Sequence, residues 1–186
     1  MWLRVIFAIA ALVVIAYLLQ PWWMPKPWYR SLHYRGGKPN PLTRQINSAT
    51  AWLFSRGMLP QFLVSFETCG ARTGRTHRVP LVVANIRGNR YVVSMLGEKV
   101  DWVRNIRATN GDAVLCYGPR EEVTLREIPV NDRGPILKSY LARAPGARPH
   151  FDIPWDAPLS DFERVASRYP VFEVREKAAR TSNTSA

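Results

Sequence analysis

The chain has 186 residues, of which 47% are hydrophobic, and a formal net charge of +12. That length suits one domain of ordinary size with a short extra segment, and the charge points either to an anionic partner or simply to a soluble surface. Two cysteines without a C-x-x-C pair and three scattered histidines argue against a disulfide framework and a metal site, and without a basic repeat or arginine-rich tract nucleic acid is not an expected partner.

Taken in chain order, residues 5–19 form an unbroken apolar run. At about 1.5 Å rise per residue, a helix from Trp2 to Leu19 just reaches the roughly 30 Å of a bilayer's hydrocarbon core. The aromatic and basic cluster that follows, Pro21 to Arg30, has the composition of a headgroup-level segment. A secretory signal peptide competes with this reading, but no small-x-small cleavage site follows the run. The expectation is a single-pass transmembrane helix at the cell membrane. Lys26, Arg30, Arg35, Lys38 and Arg44 outweigh Arg4, which puts the main domain on the cytoplasmic side.

Residues 21–42, rich in proline and aromatics, read as a juxtamembrane connector. Pro41 opens a helix to about Arg56, with Ile46, Ala49, Trp52 and Leu53 on one face. Phe62 to Phe66 reads as a strand running into the loop at Thr68 to His77. Arg78 to Ile86 and Tyr91 to Met95 form a hairpin across Arg87-Gly88-Asn89-Arg90. Asp101 caps a short helix through Ile106 that places Trp102, Asn105 and Ile106 on one side. Ala113 to Tyr117 and Glu122 to Glu127 make a second hairpin, and helices are expected over Asn131 to Arg143 and Leu159 to Arg168. A strand at Val171 to Val174 precedes a polar tail over 176–186. Hairpins with single helices between them argue for a closed antiparallel sheet with helices outside, not a doubly wound parallel sheet. The main domain accordingly spans 43–175, after an anchor at 1–20.

The chemistry concentrates in the loop after the first strand. Gly70 and Gly74 free the backbone to turn N–H groups inward as an anion nest, while Arg72, Arg75, His77 and Arg78 add cationic donors and Thr73 a hydroxyl. A phosphate or carboxylate would suit it; a glycine turn with its arginines facing water is the plainer alternative. It is no P-loop, because Cys69 and Arg75 stand where glycine and lysine are needed. G-x-G-x-x-G and G-x-S-x-G are both absent. An enzyme of this sequence would therefore take its reactive group from a cofactor.

The run Gly70-x-Arg72-Thr73-Gly74-x-x-His77-x-x-Pro80-Leu81 resembles the signature of the deazaflavin-dependent nitroreductase family. Ser94-Met95-Leu96-Gly97 followed by Asp101-Trp102-Val103-Arg104-Asn105-Ile106 resembles its second block, and Tyr169 to Val174 its terminal strand. The resemblance covers about residues 59–174. It implies a mainly β fold with flanking helices, a split β-barrel of the FMN-binding type, here preceded by the transmembrane helix. It also implies an oxidoreductase that uses the deazaflavin coenzyme F420, itself anionic, to pass a hydride to a lipophilic acceptor such as a quinone or nitroaromatic. The resemblance gives Gly70, Arg72, Thr73, Gly74 and His77 the phosphate-bearing part, and Pro80, Ser94, Met95 and Gly97 the ring system. By the same resemblance Trp102 and Asn105 close the pocket, and Ser94, or else a solvent proton, completes the reduction. The chain departs from the family pattern at Ala71, where many members carry arginine, and at Val82, where some carry an aromatic. Tyr140, Phe151, Trp155 and Tyr169 stand in the region of the family's substrate-facing tyrosines. An FMN-dependent oxidoreductase, a non-catalytic deazaflavin-storage module and a basic protein holding anionic lipid are the alternatives.

Overall fold

Asn40 and Pro41 start the longest helix for reasons local to them. The Asn40 side chain accepts from the Thr43 N–H at 2.8 Å, and proline at the first helical position loses no hydrogen bond because that N–H would be unpaired. The computed structural model describes residues 26–35 and 38–177. In chain order these form α1 (Lys26–His33), β1 (Tyr34–Arg35), β2 (Lys38–Pro39), α2 (Pro41–Ser55), β3 (Leu63–Cys69), β4 (Thr76–Val82), β5 (Ala84–Ile86) and β6 (Asn89–Val93). There follow α3 (Asp101–Ala108), β7 (Asp112–Cys116), β8 (Arg120–Glu127), α4 (Val130–Arg143), α5 (Leu159–Val165) and β9 (Val171–Glu176). Short 3-10 turns at Pro145–His150 and Ala166–Arg168 flank α5.

Seven strands make one antiparallel sheet in the order β4-β3-β7-β8-β9-β6-β5. Its two edge strands are halves of one run of chain. Residues 76–82 pair with β3, the chain bends at Val83, and residues 84–86 pair with β6. The bend is pinned by the Val83 N–H, which donates to the Phe62 carbonyl at 2.8 Å. The sheet thus closes on itself through a covalently continuous strand, which leaves little unpaired edge. The β5–β6 turn uses positive φ at Arg87 and Gly88, +53° and +84°, the backbone a two-residue hairpin needs.

Alternation along the strands builds two apolar cores. Val64, Phe66, Val92, Leu115, Val123 and Phe172 fill the barrel, and α3 caps it with Trp102, whose ring meets Phe66 and Phe172 at centroid distances of 5.4 and 5.5 Å. The neighbouring positions Tyr91, Val93 and Val171 face outward and are covered by α4 and α5 through Leu137, Leu141, Phe162 and Val165. On the outer face under α2 lies Ser65, fully buried, whose hydroxyl has no hydrogen-bond partner among the described residues. An unpaired buried hydroxyl costs about 1–3 kcal/mol, so Ser65→Ala is expected to raise the urea midpoint, equivalent to about 1 kcal/mol after the lost packing.

The mainly β fold with flanking helices is as expected, but the preceding transmembrane helix and the cell-membrane placement are corrected. Among the described residues no helix is long and apolar enough to cross a membrane. The longest, α2 with 15 residues, is about 22 Å long against the roughly 30 Å needed. The apolar run at 1–20 lies outside the described residues, as does the end of the tail. Two local expectations also change. The segment read as a connector contains α1, and α2 turns a different face inward. Thr43 and Ala51 are buried with Asn47 partly so, while Trp52 is exposed and lies under the Arg56 guanidinium, 4.7 Å from ring centroid to Cζ.

Candidate functional site

The loop between β3 and β4 folds on itself. The Gly70 N–H donates to the Arg75 carbonyl at 2.9 Å, and the Thr73 and Gly74 N–H groups both donate to the Gly70 carbonyl, at 3.2 and 2.8 Å. Gly70 is glycine for want of space: a Cβ there would lie 2.8 Å from both His77 Nε2 and Thr73 Oγ1. Gly74 takes φ +63° with nothing near its Cα hydrogen, so it serves the turn. Asn105, buried on α3, anchors the loop from below. Its Oδ1 accepts from the Ala71 N–H and its Nδ2 donates to Thr68 Oγ1, both at 3.1 Å. The anion nest expected from the sequence does not form in this way, because these N–H groups are used inside the loop. Side chains carry the cationic character instead.

Those side chains border a cavity of about 310 Å³ whose walls include Arg72, Thr73, His77, Arg104 and Asn105. Among the described residues neither Arg72 nor Arg75 has a carboxylate partner. Arg104 pairs with Asp101 one turn earlier on α3. Arg78 is directed elsewhere, to Glu67 at 2.8 Å, which also receives Arg120 at 2.9 Å. Burial works to raise the Glu67 carboxyl, but the two guanidinium groups outweigh it and hold the group below the usual carboxylate range.

A second cavity, about 210 Å³ and mainly apolar, shares Asp101 with the first. Val79, Pro80, Leu81, Met95 and Trp102 line it, with Ser94 at its side. The structure therefore gathers Gly70, Arg72, Thr73, His77 and Asn105 in one compartment and Pro80, Ser94, Met95 and Trp102 in the next. Gly97 lines neither; it borders a third cavity behind Met95 and Leu96. Ser94 is 1% exposed, and its hydroxyl donates to the Gly97 carbonyl at 2.7 Å, so its one proton holds the turn at residues 94–97. Gly97 itself has φ +82°.

Sequence reasoning missed Tyr34, Asn47 and Lys99 in the apolar compartment, Asp101 between the two, and Arg104 on the wall of the cationic one. Tyr34 follows α1 in a stretch read as a connector, with no motif to mark it. Asn47 was recoverable: it lies four residues from both Thr43 and Ala51, so the buried face of α2 carries it inward.

An apolar slot beside a cationic compartment, on a closed antiparallel sheet, has room for a ring system bearing phosphate, as a cofactor-dependent enzyme would need. The family follows from the sequence of the same region: a family model described as F420H(2)-dependent quinone reductase matches residues 43–147, more than half of the chain, and the chain belongs to that family. It is an oxidoreductase whose coenzyme is F420. Similar solved structures include an F420-H2 dependent reductase, FDR-A, at 24% identity and TM-score 0.43, covering 63% of this chain and 96% of that one. An F420 reductase is 16% identical with TM-score 0.37, covering 68% and 92%. A conserved hypothetical protein of Mycobacterium tuberculosis is 12% identical with TM-score 0.41, covering 62% and 72%. No curated protein matches the chain. The residues present fit the coenzyme: the cationic compartment offers Arg72, which has no carboxylate partner among the described residues, together with His77 and Arg104 for its anionic part, and the adjoining slot is mainly apolar, as a ring requires.

Proposed function

We propose that this enzyme uses reduced F420 to reduce a lipophilic acceptor of the quinone or nitroaromatic kind. The reading rests on one observation, the apolar slot and the cationic compartment meeting at Asp101, and it agrees with the quinone reductase description of the family. When bound, the reduced deazaflavin supplies the hydride. Arg72, Thr73 and His77 hold its phosphate-bearing part, with Arg104 as a further donor, while Gly70 and Gly74 shape the loop. Pro80, Met95 and Trp102 pack on the ring and keep water from it, and Ser94 fixes the turn that presents Met95. Asn105 holds the loop to α3. No side chain has to act as nucleophile in this reading.

The test is a titration with F420 followed by mixing the reduced complex with menadione or a nitroaromatic, reading the return of oxidised coenzyme. Turnover with either acceptor supports the reading. Binding without oxidation would identify a storage module instead. In the same assay Arg72→Ala with Gly74→Val is expected to weaken coenzyme binding by about tenfold or more, the loss of one charge-assisted contact plus a strained turn, with the far-ultraviolet circular dichroism unchanged. Unaltered affinity would remove the loop from the binding site.

A further inference from the structure

A cavity of about 900 Å³ opens on the outer face of the sheet, walled by the second half of α2 on one side and by β3, β4 and the β7–β8 turn on the other. That volume is within the range of small-molecule sites. Its frame is fixed where helix and turn meet. The Gly118 N–H donates to the Ser55 carbonyl at 3.1 Å, and a Cβ on Gly57 would lie 2.9 Å from the Gly118 Cα. Backbone rests on backbone there, so the cavity is preformed.

One carboxylate organises its polar wall. Alternation along β3 sends Phe66 into the barrel and Glu67 outward, where its side chain is nevertheless only 7% exposed. Arg78, its cross-strand neighbour on β4, donates through Nε to one carboxylate oxygen, and Arg120 donates through Nη1 to the other. Both guanidinium groups line the cavity and are largely exposed. The two terminal nitrogens of Arg78, and Nε and Nη2 of Arg120, have no acceptor among the described residues. Glu67 thus holds two flexible arginines in one geometry before any ligand arrives. Arg56 is a third cation on the wall, without a carboxylate partner among the described residues. Three guanidinium groups against one carboxylate leave two positive charges in excess. Beside them Trp52, with the Arg56 guanidinium over its ring, is 58% exposed at the cavity wall. A large ring left in water next to free cationic donors is a platform on which another ring can stack while its phosphate is held.

We propose that this cavity is a second ligand site, separate from the coenzyme's, for a small phosphate-bearing ring compound of the nucleotide class. Arg78 and Arg120 bind the phosphate through the N–H groups that Glu67 leaves free, Arg56 adds charge, and the ring stacks at Trp52. Glu67 acts as a positioning residue. His77 is a wall of this cavity and of the cationic compartment alike, so negative charge on one side opposes negative charge on the other. Each ligand therefore weakens the other.

The test is calorimetric titration of the full chain with adenosine monophosphate (AMP), and with inorganic phosphate as the ringless probe, at physiological ionic strength. AMP is expected to bind more tightly than phosphate. Trp52→Ala is expected to raise the AMP Kd about tenfold and leave that of phosphate unchanged. Arg120→Met is expected to raise both by about ten- to a hundredfold, while Arg143→Met, which removes the same charge from the end of α4, changes neither. If Arg120→Met fails to fold, Ser48→Trp fills the cavity from the exposed side of α2, and the same loss is expected. With F420 at saturation the AMP Kd is expected to rise a few-fold. Complete displacement of AMP by F420 would make the cavity part of the coenzyme's own site and overturn the proposal. So would no AMP binding at about 1 mM, an AMP Kd unmoved by Trp52→Ala, or equal losses in Arg120→Met and Arg143→Met.

Discussion

Asn105→Leu is expected to weaken F420 binding by about ten- to a hundredfold while the barrel stays folded. Leucine keeps the bulk on the buried face of α3, next to Trp102 and Ile106, but removes both hydrogen bonds that fasten the loop. Each such bond contributes about 0.5–1.5 kcal/mol, and a buried group left unpaired costs about 1–3 kcal/mol, so the loop at 70–75 gains freedom that the coenzyme must remove on binding. Asn105→Asp separates the two contacts, because it keeps the acceptor for the Ala71 N–H and loses the donor to Thr68. It is expected to fall between leucine and the unaltered protein. A leucine variant that binds F420 as before would show that the loop does not need its anchor.

Arg133→Met is expected to lower stability by about 3 kcal/mol, read as a fall in the urea midpoint. Arg133, near the start of α4, is 4% exposed. It donates to the Ile128 carbonyl at 2.8 Å and to Glu127 at 2.9 Å, and its second terminal nitrogen reaches the Ala166 and Tyr169 carbonyls at 3.5 Å. Methionine fills the space but leaves the Ile128 carbonyl unpaired. The loss falls at the lower end for a broken buried ion pair, because Glu127 keeps Arg107, which binds it at 2.6 and 2.8 Å. The sign with pH follows. Hydrogen bonds from Arg107 overcome burial, and with the charge of Arg133 they hold Glu127 below the usual carboxylate range. The network therefore stabilises fully above the ordinary glutamate pKa, about 4.3, and fails as pH falls through the lower folded value. The acid limb of the stability curve is expected to be shallower in the variant.

Much of the barrel was legible because its signals are local. Gly88 marks the β5–β6 turn, alternation marks β7 and β8, and the run from Asp101 marks α3 with Trp102, Asn105 and Ile106 inward. What was not legible depends on partners distant in sequence. Trp52 and Leu53 looked like the inner face of α2, yet the helix lies so near β3 that small Thr43 and Ala51 face inward and the large residues are left outside. Lys26 to His33 contains Pro27 and Trp28 and follows a stretch rich in both types, so its composition concealed a helix that is held by the Arg30 contacts to Pro149 and Asp152. In the candidate site the residue types were readable and their use was not. Arg78 was grouped with the loop's cationic donors but spends its charge on Glu67, while Arg104 was quoted only as part of a motif and lies on the cavity wall. His150 had no signal at all, since only the fold shows it buried, with its Nε2 unpaired among the described residues.

The place of β9 in the sheet carries a consequence for how the chain is made. Among the described residues it is the last strand in chain order, yet it lies between β8 and β6 and joins the halves β4-β3-β7-β8 and β6-β5. Until Val171 to Glu176 leaves the ribosome, β8 and β6 each expose an unpaired edge, and the apolar faces of both halves lack Phe172 and Val174. Until that strand emerges the nascent barrel is an open, edge-exposed sheet, and it is in that interval that chaperone holding and aggregation compete for it.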